Sequence, residues 1–74
     1  MGERSQVHSV LLVWKNELKP KGVVYLQDKQ WWWERPAGGV DRFSRNSSLS
    51  SIASFIARVC KVSPEAVLMV KEED

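Results

Sequence analysis

The chain changes its hydrophobic rhythm twice along its length. Ser9-Val10-Leu11-Leu12-Val13-Trp14-Lys15 is a β-branched and aromatic run of the kind that forms a buried strand. Asn16 to Gly22 reads as a turn with Pro20 and Gly22 as breakers. Val23-Val24-Tyr25-Leu26 then resumes as a strand returning antiparallel to the first. Gln27 to Gln30 admits two readings, one long strand running into Trp31-Trp32-Trp33 or a second hairpin; three bulky rings suit a short strand, which favours the hairpin. Alternation within that strand sends Trp31 and Trp33 to one face and Trp32 to the other. Arg35 to Asn46, with Pro36, Gly38 and Gly39, reads as a loop. Helical spacing follows once Ser47 or Ser48 caps it, with Leu49, Ile52, Phe55, Ile56, Val59 and Cys60 on one face and Ser54, Ala57, Arg58 and Lys61 on the other. Ser63-Pro64-Glu65 breaks the helix and can open a short helical turn. Ala66 to Val70 is a final strand, residues 1–8 are a polar lead and residues 71–74 an acidic tail.

Size narrows the meaning of these elements. A chain of 74 residues is one domain, and a domain of that size buries only about 60% of its unfolded surface, leaving little room for an internal active-site cavity. Apolar residues make up 43% and charged residues 27%, the balance of a folded globular domain rather than a disordered one. The formal net charge is +2, and the basic residues are scattered, so no dense cationic face announces nucleic acid. A monomer is expected. The longest apolar run, Val10 to Trp14, is too short to span a bilayer, and no secretory signal opens the chain. One cysteine, Cys60, gives neither a disulfide framework nor, with the distant His8, a zinc site. A reducing cytoplasmic or nuclear setting fits. Gln6 stands where a myristoylation signal needs Ser or Thr.

No catalytic constellation emerges, so the segment is read as a non-enzyme without metal or cofactor. Cys60 on an apolar helix face reads as a small core hydrophobe, and His8 as a surface residue at a strand edge. Pro36 to Asp41 resembles the start of a Nudix box, but Ser50, Ser51, Ala53 and Ser54 stand where the metal-binding glutamates belong. Arg42 and Arg45, six and three residues before Ser48, resemble a basophilic kinase site; the simpler reading is a solvated loop leading to a helix cap. The candidate binding residues are Trp32, Arg35, Arg42 and Arg45, since tryptophan and arginine are the side chains that most often anchor protein interfaces.

The order of capped helix, Ser-Pro break and strand resembles the ubiquitin-like β-grasp family. Ser48-Leu49, Ile52 and Ile56, Val62-Ser63-Pro64-Glu65 and Val67-Leu68-Met69-Val70 fill the places of that family's helix opening, helix core, turn and following strand. The resemblance covers roughly residues 9–71 and implies an α+β fold: a small antiparallel or mixed sheet with one amphipathic helix packed across it. Two departures stand out. The segment holding the tryptophans and Arg35 to Asn46 is longer than in ubiquitin and looks like an insertion, and ubiquitin would supply two more strands beyond Asp74 and a Gly-Gly tail. The resemblance therefore points to non-conjugated ubiquitin-like modules embedded in large proteins such as ubiquitin-specific proteases, and implies a protein-binding module of the ubiquitin pathway. Within it, the last strand either pairs directly and antiparallel with the first, the closure expected here, or leaves an open edge through which the chain self-associates. The alternative is a small single-stranded nucleic-acid binder in which Trp32 stacks on a base beside Arg35, Arg42 and Arg45.

Overall fold

The structure is a computed structural model and describes residues 3–72. Among the described residues, five strands, β1 (Ser5–Trp14), β2 (Glu17–Gln27), β3 (Gln30–Glu34), β4 (Val40–Phe43) and β5 (Val67–Lys71), accompany one helix, α1 (Leu49–Cys60), and a single 3-10 turn at Pro64–Ala66. The strands form one sheet in the order β4-β3-β2-β1-β5, and every neighbouring pair is antiparallel. The fold is a two-layer α+β domain, with the helix on one face of the sheet.

The helix begins where the serines allow it. Ser48 holds an extended φ/ψ and its Oγ accepts from the Ser51 amide at 3.0 Å, satisfying one of the amides that a helix start leaves unpaired. At the other end Lys61 turns left-handed at φ 60°, and its N–H bonds back to the Ala57 and Arg58 carbonyls. Ile52 and Ile56 are fully buried against Val10, Val24, Trp33 and their neighbours. The buried stripe is rotated from the expected one: Ala57 lies inside, while Phe55 and Val59 remain 38% and 40% exposed. Phe55 is not idle, for its ring meets Phe43 edge-on at 5.2 Å and Trp33 at 6.3 Å, closing the side of the core.

Five expectations need correction. Asn16 to Gly22 is not a turn: Lys15 and Asn16, both at positive φ (49° and 65°), make the hairpin, and β2 runs on through Pro20. Proline is tolerated there because β3 pairs only with Val23 to Gln27, so the missing Pro20 N–H faces no partner strand. The stretch read as a loop contains β4, which pairs with β3 from Trp31↔Phe43 to Glu34↔Val40. The polar lead is mostly strand. Within it His8 is 7% exposed, not a surface residue: Nδ1 donates to the Gln6 carbonyl at 2.8 Å, and the ring lies 6.2 Å from Trp31. Finally, Lys71 belongs to β5, and Glu72 is tied to β1 by its amide to the Val7 carbonyl and by Ser9 Oγ donating to its carboxylate. Gly2, where a lipid would attach, and Glu73 and Asp74 of the tail lie outside the described residues.

Other expectations agree with the structure. A second hairpin turns at Asp28 and Lys29, again at positive φ, and the helical turn follows Ser63. β5 pairs antiparallel with β1, from His8↔Lys71 to Leu12↔Val67.

Candidate interaction surface

Strand alternation divides the side chains between the two faces of the sheet. Val10, Leu12, Val24, Trp31, Trp33 and Val67 point to the helix and are buried. Trp33 is fixed further by its indole N–H, which donates to the Lys21 carbonyl at 2.8 Å. The face turned away from the helix is covered by no element among the described residues. It falls into two halves.

The half on β5, β1 and the start of β2 is aliphatic. Leu11 stands opposite Leu68 on one side and Pro20 on the other, and Val13 opposite Leu18. Leu68, Val70 and Leu18 are 41%, 51% and 59% exposed, an open apolar area of the kind that marks contact surfaces. The half on β2, β3 and β4 is aromatic and cationic: Tyr25, Trp32 and Arg42 stand in one cross-strand row. Tyr25 is buried, with the Arg4 guanidinium 4.1 Å above its ring. Arg4 in turn pairs with Glu34 at 2.6 Å. Trp32 is half-buried, and its indole N–H donates to the Gln27 carbonyl at 3.0 Å.

The four candidate residues therefore separate. Trp32 and Arg42 are direct cross-strand neighbours on the open face. Arg45, just past β4, shares with Arg42 a cleft of about 630 Å³ at the end of the sheet. Arg35 lies on the opposite side, its guanidinium 4.7 Å from the Trp33 ring and its Nε donating to Asp41 at 2.7 Å, so its charge is used within the fold. Sequence reasoning missed Lys29, which lines the same cleft as Arg42 and Arg45; it was legible only as a turn residue. It also missed the aliphatic half, whose outward positions emerge only from the register.

Among the described residues, no three His, Cys, Asp or Glu side chains converge in a way that would hold a metal ion. Cys60 is half-buried at the end of α1. No described helix is long and apolar enough to cross a membrane. No family model, no curated protein and no solved structure matches this chain.

Proposed function

We propose that this domain is a non-catalytic protein-interaction module, a ubiquitin-like β-grasp variant that serves a larger protein of the ubiquitin pathway in the cytoplasm or nucleus. The observation that carries the reading is the sheet face left open opposite the helix, where half-buried Trp32 stands beside exposed Arg42 and continues into the aliphatic surface of Leu11, Leu18, Leu68 and Val70. A flat apolar face with an aromatic anchor and a cationic margin has the composition of a protein interface. The antiparallel β1–β5 pair supports the β-grasp part, because a chain of this order without a strand between those two needs it. Strands β3 and β4 would then be the insertion, extending the sheet from its β2 side.

The test is capture from nuclease-treated cell lysate on immobilised wild-type domain and on the Trp32→Ala variant, together with titration of a fluorescent oligothymidylate at rising salt. Proteins held by the wild type, lost with Trp32→Ala and little affected by salt are the expected result. An oligothymidylate complex that weakens steeply with salt, without any Trp32-dependent protein, would replace this reading with the nucleic-acid one.

A further inference from the structure

Charge is distributed unevenly over the folded domain. Arg4 and Arg35 are both engaged, one over Tyr25 and on Glu34, the other over Trp33 and on Asp41. Lys29, Arg42 and Arg45 are different: among the described residues their side chains make no hydrogen bond or ion pair. All three line the cleft of about 630 Å³ between the β2–β3 turn and the end of β4, together with Gln30, Ser44 and Asp28. A second hollow, beside Trp31 and Asn46, again borders Lys29 and Arg45. Three cations around one concavity, against the single carboxylate of Asp28 in its lining, leave a net positive site for an anion.

The strand beside this cleft is an edge. β4 pairs with β3 alone, so alternate backbone N–H and C=O groups along Val40 to Phe43 point away from the sheet and can template a further strand. Its outward side chains are Val40, 51% exposed, and Arg42. Building on the interaction-module reading, we propose that β4 and the Lys29–Arg42–Arg45 cleft bind an extended acidic segment of a partner protein, which adds to the sheet as a strand beside β4. Its acidic side chains would meet Arg42 and the cleft, and an apolar residue two positions along would cover Val40. The site suits a peptide better than a nucleic-acid strand. Single strands are held largely by bases stacked on exposed rings, whereas Trp31 and Trp33 are buried and Trp32 is half-covered with its N–H committed to Gln27.

The experiment titrates three fluorescent probes of similar length against the full chain: a peptide alternating Glu with Val, its Gln-for-Glu counterpart, and oligothymidylate. The Glu peptide is expected to bind at least about ten-fold more tightly than either, the difference that one charge-assisted contact supplies. N-methylation of the peptide amides on its β4-facing edge should abolish binding, and amide resonances of Val40 to Phe43 should shift on titration. The double variant Arg42→Glu/Arg45→Glu, with an unchanged thermal midpoint, should lose the Glu peptide and gain a Lys-for-Glu peptide. Equal binding of the Glu and Gln peptides, tighter binding of oligothymidylate, or no binding by any probe would overturn the proposal. Trp32-dependent protein capture that persists in the double variant would leave the module reading standing while this site fails.

Discussion

The guanidinium of Arg35 lies 4.7 Å from the centre of the Trp33 ring while its Nε holds Asp41 at 2.7 Å, so one side chain from the end of β3 fastens a core tryptophan and the β4 strand together. Arg35→Ala should therefore act on stability. The stacked cation contributes roughly 0.5–1 kcal/mol in a partly exposed setting, and the ion pair, whose side chains are 37% and 28% exposed, about 0.5–1 kcal/mol after allowing for solvent screening. A loss of about 1–2 kcal/mol in urea denaturation is expected from these two parts. Arg35→Lys should recover little, because an ammonium cannot both stack flat and present a fork. An unchanged denaturation midpoint would show that the contact is incidental.

Ile56 is the test of the helix face. It is wholly buried under the sheet, and Ile56→Ala should cost about 2–5 kcal/mol from lost burial and a residual cavity. That is a large share of the stability available to so small a domain. A midpoint close to the parent's would mean that the helix packs through another face.

The tryptophans should separate by depth. Trp33→Ala removes a ring that is 2% exposed and should cost about 3–5 kcal/mol. Trp32→Ala, half-buried with one hydrogen bond to Gln27, should cost distinctly less, about 1–2 kcal/mol. Acrylamide quenching of variants retaining a single tryptophan should rank Trp32 as more accessible than Trp31 or Trp33. Equal accessibility would contradict the assigned faces.

Gly22 is required by geometry. It sits at φ 92°, and a Cβ there would collide with the carbonyl oxygen of Glu34 on the neighbouring strand. The β1–β2 register slips between Ser9 and Leu11, across from this glycine, as expected where an extra residue bulges a strand. Gly22→Ala should destabilise by more than about 1 kcal/mol, since strain and collision add to the ordinary cost of an incompatible backbone. Its thermal midpoint, set beside that of Gly38→Ala, reads the collision: Gly38 has a similar positive φ but open space around it.

How far the sequence revealed this arrangement depended on the strength of each local signal. The helix was legible because Ser48, the apolar spacing and Pro64 agree about where it starts and stops. The pairing of β5 with β1 was expected from the resemblance to the β-grasp family, with connection geometry allowing it. β4 was hidden because four residues, Val40-Asp41-Arg42-Phe43, offer too short an alternation to stand out beside Pro36, Gly38 and Gly39. Pro20 hid the first half of β2 in the same way, since only the absence of a partner on that side makes proline acceptable. Arg35 and Arg42 looked equivalent in sequence, yet odd and even positions around the β3–β4 hairpin place one on Trp33 and the other beside Trp32. Lys29 joined the cationic cleft only through the hairpin that brings it near Arg45.

The proposed interface lies on the open sheet face, and site-specific photocrosslinking in cells probes it most directly. A photoreactive phenylalanine analogue would be placed in separate variants at Trp32 and Leu11 on the open face, and at Ser54, exposed on the helix. An interface on the open face should give protein adducts from positions 32 and 11 and none of comparable yield from position 54. Adducts formed only from position 54, or adducts to nucleic acid at position 32, would contradict it.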